Sequence, residues 1–268
     1  MNVGLIGCGV VGSQIALAIS KHQDENLDLL SVFDRHISKA QLVSKETGAA
    51  VFDSPRTMIR DKRIDLIIEA ASHDAVRRFG QEILQARKDF MILSTGALLD
   101  DSFLARLSDS ATQNRVRMIL PSGAAFGVDF LKAARIAGAT KVKIELHRSN
   151  EDLEKLRVNN QVRRKIINKK RGFDHWMTAR EFVSLVPKIS NFIATISLAG
   201  VGPERTFVRI RSVSGIKSRM TRISVSTDSW RTFAVSTTKL EQVGLGSPTI
   251  SSVLSKLLEL KSPVHIGT

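Results

Sequence analysis

The chain has 268 residues, a formal net charge of +14, 43% hydrophobic and 25% charged residues. This is the composition of an ordinary folded chain rather than a disordered one, and the length suits one large or two smaller domains. The single cysteine, Cys8, excludes an intrachain disulfide and a cysteine-rich metal site, and no apolar run is long enough to span a bilayer.

Val3 to Ile6 is a short apolar run that reads as a buried strand. Gly7, Gly9 and Gly12 follow as G-x-G-x-x-G, with Ile15, Ala16 and Ile19 at helical spacing beyond them. Gly7 permits a tight turn, Gly9 lets backbone approach a pyrophosphate, and Gly12 lets helix and strand pack closely. The first helical residues, Val10 and Val11, carry the free N–H groups that a pyrophosphate takes. A second apolar run, Leu27 to Phe33, ends in Asp34, 22 residues after Gly12. An acid there accepts hydrogen bonds from the adenosine ribose of NAD. Arg35 follows at once and suits the extra phosphate of NADP, so NAD and NADP both remain open as cofactors. Cys8 reads as a small space-filling residue in the loop.

Further along, Ser38 to Thr47 is helix-compatible and Val51 to Lys62 reads as short and irregular. Ile64 to Glu69 is a strand, Asp74 to Ala86 a helix, Phe90 to Leu93 a strand, Phe103 to Leu107 a helix and Val116 to Leu120 a strand. Alternation of this kind predicts an α/β fold, a Rossmann-type parallel sheet with helices on both faces. Its strands end in small or hydroxylated residues: Ala70-Ala71-Ser72, Ser94-Thr95-Gly96, Ser122-Gly123-Ala124. Ligands in such sheets sit beyond these ends. After a helix over Val128 to Ala137, the pattern changes. Thr140 to Leu146, Phe207 to Val213 and Thr221 to Val225 alternate apolar with polar residues, and Ser229 to Val235 is a further strand. Thr178 to Leu185 and Ile193 to Ala199 suit helices. A second α+β domain with an antiparallel or mixed sheet, covered on one side, is expected. The predicted division is 1–125 for the dinucleotide-binding domain, rejoined by a C-terminal helix within 246–268, and 126–245 for the second. The basic run Lys155 to Arg171 reads as a solvated face.

These landmarks resemble the L-aspartate dehydrogenases. The resemblance is carried by Gly4-Leu5-Ile6-Gly7-Cys8-Gly9-Val10-Val11-Gly12, Glu69-Ala70-Ala71-Ser72, Leu93-Ser94-Thr95-Gly96-Ala97 and Gly127-Val128-Asp129. It continues in Thr178-Ala179-Arg180-Glu181 and, most specifically, in the stretch from Pro187 to Ser197. It implies NAD(P)-dependent oxidative deamination of aspartate, or amination of oxaloacetate, by a homodimer acting on a small dicarboxylate. The start of the chain, without a basic n-region and with its apolar stretch broken by glycines, reads separately as that of a cytoplasmic protein. By position the resemblance places Gly7, Gly9, Gly12 and Asp34 at the adenosine half of the cofactor. Ala71, Ser72, Thr95, Gly96 and Ala124 fall along the nicotinamide half, and Asn191 in the segment joining the lobes.

One departure stands out. The family carries Asn-x-His on a strand of the second lobe, the histidine being the catalytic acid/base. Here Arg219-Met220-Thr221 takes that place, and no histidine lies between His175 and His265. Threonine is a poor general base near neutral pH. Three alternatives follow: the acid/base role moves to His73 or, next, His147; Arg219 grips a carboxylate of an altered amino or oxo acid substrate; or the chain binds dinucleotide as a non-catalytic sensor. A nucleic-acid partner is the weakest expectation, since aromatics are 5% and tyrosine is absent.

Overall fold

A computed structural model of the chain describes all residues except 23–25, 155–175, 188–189, 214–215, 217, 240–246 and 268. The basic run Lys155 to Arg171 therefore lies outside the described residues, as do Lys188, Ile189 and Lys217. The chain divides into two units, Met1–Ala124 with Val243–His265, and Ala125–Gln242 with Ile266–Thr268.

The first unit holds a six-stranded parallel sheet in the order β3-β2-β1-β4-β5-β6. Its strands are β1 (Asn2–Ile6), β2 (Asp28–Phe33), β3 (Ala50–Val51), β4 (Leu66–Glu69), β5 (Asp89–Ile92) and β6 (Met118–Ile119). The order reverses between β1 and β4, and such a switch point opens a crevice at the strands' carboxyl ends. Helices α1 (Val10–Ser20), α2 (Ile37–Thr47), α3 (Pro55–Arg60), α4 (His73–Gln85) and α5 (Asp101–Asn114) make the crossovers. Val3, Leu5, Leu66, Ile67, Ile68, Phe90 and Met91 are completely buried, as residues of a sheet covered on both faces must be.

The stretch expected to be irregular, Val51 to Lys62, differs from that expectation. β3 is an edge strand of two residues. α3 starts where Ser54 accepts a hydrogen bond from Arg56 N–H, with Pro55 as its first residue. Ser-Pro is a helix-start signal, and the capped turn follows from it. The turn expected at Ser94–Ala97 continues as a 3-10 segment, Thr95–Leu99, all of it buried.

In the second unit a mixed sheet runs β11-β10-β7-β9-β8. The strands are β7 (Lys141–Arg148), β8 (Met177–Thr178), β9 (Thr206–Ser212), β10 (Ser218–Ser226) and β11 (Arg231–Lys239). Alternation decides its faces. Val142, Ile144, Leu146, Val208, Ile210, Ile223 and Val225 are buried on one side. Lys141, Lys143, Arg211, Arg222 and Phe233 are exposed on the other. The covering helices are α6 (Val128–Ile136), α8 (Ala179–Leu185) and α9 (Asn191–Ala199), while α7 (Asn150–Glu154) follows β7. Thr178 caps α8 through a reciprocal pair with Glu181. The last helix, α10 (Pro248–Glu259), belongs to the first unit. It buries Ile250, Val253 and Leu257 against α1, and Ser252 Oγ accepts from Gly123 N–H at 2.9 Å. Each such apolar side chain contributes about 1.5–3 kcal/mol when fully buried.

Candidate functional site

The glycine loop is shaped by contacts no side chain could share. Gly7 has φ of +104°, and a Cβ there would stand 2.6 Å from Ala70 O. A Cβ on Gly12 would stand 1.9 Å from Gly7 O. At Gly9, which begins α1 with extended backbone, a Cβ would meet nothing within 4 Å. Two glycines thus serve packing, while the third keeps open the space in front of α1's free N–H groups. That is the cradle a pyrophosphate requires. Val10 is exposed and Val11 half-buried at the start of the helix.

A cleft of about 570 Å³ opens there. Gly7, Gly9, Asp34, Arg35, Ala71 and Ser72 line it together. Asp34 Oδ2 accepts from Cys8 N–H and Oδ1 from His36 N–H, both at 2.8 Å, so the carboxylate ties the end of β2 to the glycine loop. Burial, with Asp34 beside it, pushes the Cys8 thiol up to about 12, which leaves it inert. The lining also includes residues that sequence pattern does not single out: Ser54, Arg56, Arg78 and Phe79. The arginines look like solvated helix charges in sequence, and only the crossovers bring them to one cleft. Gly12, Val10, Val11, His73, Thr95, Gly96, Ala124 and Asn191 do not line it. His73 opens α4 directly after Ser72.

Beneath the rim lies Glu69, 1% exposed at the end of β4. Its Oε1 accepts from Ala71 N–H and Ser72 N–H at 2.7 Å and from Ser94 Oγ at 2.8 Å, and Oε2 from Ser94 N–H at 3.0 Å. One carboxylate therefore fixes the loops after β4 and β5. Burial raises its pKa above the usual 4.5, and the four hydrogen bonds pull against that rise. Glu69→Gln places an amide donor against a buried donor and is expected to cost about 1–3 kcal/mol. Thermal unfolding checks this as a fall of several degrees. The sign with pH is fixed as well. A carboxyl whose native pKa is raised gives its stability fully below 4.5 and loses it as pH rises through the native value. The gap between wild type and variant therefore narrows as pH rises.

On the second unit's covered face, Thr221 pairs with Leu146 and shares the side of Ile223 and Val225. Arg148 Nη1 donates to His147 O at 2.9 Å and Met220 O at 2.8 Å, and Nη2 reaches Thr221 Oγ1 at 3.4 Å. Burial pushes the Arg148 guanidinium down to about 10, still charged at neutral pH. Arg219 donates to both oxygens of Asp152, at 3.1 and 2.7 Å. The fork that could have gripped a substrate carboxylate therefore already holds Asp152. Two guanidiniums and one carboxylate leave this cluster net cationic. His147 pairs with Met220, on the face away from Thr221, 3.5 Å from Glu145 Oε2. Burial opposes the Glu145 charge, yet Arg209 holds its carboxyl below the ordinary range. His147 thus belongs to a separate polar group, apart from Arg219 and Thr221.

Two family models match in sequence: the NAD-binding domain of homoserine dehydrogenase over residues 7–121, and the C-terminal domain of aspartate dehydrogenase over 129–259. The chain is 32% identical over 283 residues to an L-aspartate dehydrogenase of Methanosarcina barkeri, and 30% identical over 276 residues to that of Methanosarcina mazei, each with 100% of both chains covered. Its fold is similar to a crystal structure of aspartate dehydrogenase from Thermotoga maritima, with a TM-score of 0.76 and 23% identity over 100% of this chain and 99% of that one. Among the described residues no helix is long and apolar enough to cross a membrane.

Proposed function

The chain belongs to the L-aspartate dehydrogenase family, and from that premise we propose how its residues divide the work of an NAD(P)-dependent dehydrogenase acting on a short dicarboxylic amino or oxo acid. The observation that carries this reading is the open space at Gly9 between two glycines that tolerate no Cβ. When bound, the dinucleotide supplies or accepts the hydride at the substrate Cα. Gly9 and the first turn of α1 bind its pyrophosphate, and Asp34 and Arg35 flank its adenosine ribose. Ala71 and Ser72, fixed through Glu69, line the same cleft. Thr95, Gly96, Ala124 and Asn191 keep the nicotinamide-side role implied by the resemblance.

The second unit handles the anionic substrate. The net cationic group of Arg148, Arg219 and Asp152 attracts a carboxylate, and Arg219 meets it with the donors Asp152 leaves over. The Thr221 hydroxyl accepts from Arg148 and so directs its own proton outward, as a donor to the reacting carbonyl or imine. Such a hydroxyl orients and polarises, and leaves net proton transfer to water or to the substrate amine. His73, which opens α4 directly after Ser72, stays the alternative acid/base. Two copies of the chain form the working unit, which light scattering on the eluting protein tests.

Oxaloacetate, ammonia and NADH or NADPH are expected to give loss of absorbance at 340 nm that depends on all three. Saturable cofactor binding with no turnover on any oxo acid would instead establish the dinucleotide sensor, the reading favoured by a threonine where an acid/base is expected.

A further inference from the structure

A dinucleotide lies across the point where the strand order of a parallel sheet reverses, here between β1 and β4. With Asp34 at the end of β2 on the adenosine side, the nicotinamide falls toward the ends of β4, β5 and β6. Glu69 fastens the loops after β4 and β5 through Ala71, Ser72 and Ser94. None of its hydrogen bonds goes to the third loop, Pro121 to Ala124.

Strand pairing does little for that loop. β6 is an edge strand of two residues, paired to β5 through Met118 and Ile119. Pro121 has no N–H with which to continue the ladder. Gly123 then turns with φ of +62°, a left-handed conformation that glycine adopts without steric cost. A Cβ there would meet nothing within 4 Å, so the turn, like Gly9, borders open space.

Among the described residues, 121–124 make one hydrogen bond, from Gly123 N–H to Ser252 Oγ at 2.9 Å. Ser252 stands on α10, 129 residues further along the chain. Its own proton is donated to Thr249 O at 3.0 Å, which leaves a hydroxyl lone pair for Gly123 and fixes its direction. The helix is held independently of this bond: Ile250, Val253 and Leu257 are buried in one core with Ile15, Ala16 and Ile19 of α1. Ser252 thus joins a packed element to a turn that has no other polar anchor among the described residues.

We propose that Ser252 is a positioning residue for the nicotinamide half of the site. It sets the turn after β6, and through that turn the backbone of Ser122 to Ala124 bordering the bound ring. A loop released from Ser252 shifts, and the ring loses the fixed position that hydride transfer requires. The adenosine half, bound at Gly9, the first turn of α1 and Asp34, is untouched. The inference rests on a dinucleotide binding at the glycine loop, and its test separates the two claims.

Calorimetry on the full-length protein would compare NADH with ADP-ribose, and NADPH with 2′-phospho-ADP-ribose, each pair differing by the nicotinamide. Ser252→Ala is expected to weaken both dinucleotides about five- to tenfold, the worth of one hydrogen bond, and to leave the two shorter ligands within about twofold of wild type. Ser252→Thr keeps the hydroxyl and should restore the dinucleotide affinity. Ser252 is half-buried, outside the buried set of α10, and alanine is a good helix former, so the helix is kept. A general loosening of α10 would lower all four affinities alike. Dinucleotide affinity that is unchanged in Ser252→Ala, that falls equally for the ligands lacking nicotinamide, or that threonine does not restore, overturns the proposal. Failure of all four ligands to bind the wild type instead removes the glycine loop as the dinucleotide site.

Discussion

Gly12→Ala is expected to raise the dissociation constant for nicotinamide dinucleotides at least ~100-fold, equivalent to roughly 2.7 kcal/mol. The new Cβ would stand 1.9 Å from Gly7 O and 2.9 Å from Gly7 C. Both are backbone atoms, so no rotamer change relieves the overlap. Either α1 moves off β1 or the loop from Gly7 is pushed outward, and such overpacking costs about 1–3 kcal/mol in stability. Either movement displaces the first turn of α1, whose N–H groups the pyrophosphate needs. Gly9→Ala is the matching case. Its backbone, with φ of −74°, accepts alanine, and the added Cβ touches nothing in the protein. That variant should melt close to wild type yet bind weakly, because the methyl fills the ligand's approach. Differential scanning fluorimetry with titration of NADPH fluorescence separates the two. Wild-type affinity in Gly9→Ala would show that the phosphates lie elsewhere.

Those glycines were legible in the sequence because their constraint is local: a turn, a positive φ and a helix start lie within a few residues. The terminal helix was legible for a similar reason, since Ile250, Val253 and Leu257 recur at helical spacing whatever they pack on. What escaped depends on distance along the chain. Glu69 reads as a charge ending an apolar strand, yet it organises Ser94, 25 residues away. Asp152 is unremarkable until β10 brings Arg219 to it across 67 residues. Arg78 occupies an exposed helical position, and periodicity reports burial, not which cleft an exposed side chain borders. The missing histidine was legible only through the family resemblance, which sets Thr221 where the family carries it. The structure adds what stands around its replacement: Thr221 under Arg148, with His147 turned to the other face.

That surrounding decides the chemistry of Thr221→Val, which is expected to lower kcat by about 10²–10³-fold, the usual cost of removing one preorganised donor. Valine matches threonine in shape and strand preference. Arg148 loses only its 3.4 Å contact and keeps both carbonyl partners, so stability should change by less than about 1 kcal/mol. The opposite substitution, Thr221→His, is expected to raise kcat, since a positioned acid/base contributes about 10²–10⁴-fold. It should also change the pH profile. No side chain of β10 titrates near neutrality, so wild-type deamination should rise with pH until the substrate amine is neutral. The introduced histidine has an ordinary pKa of about 6.5. The Arg148 cation opposes its protonation, so the new limb should fall below that value. Rates from pH 5 to 10 on the three proteins would measure this. An unchanged kcat in Thr221→Val would take the hydroxyl out of the reaction, and a Thr221→His variant without the acid limb would mean that this strand position does not meet the substrate.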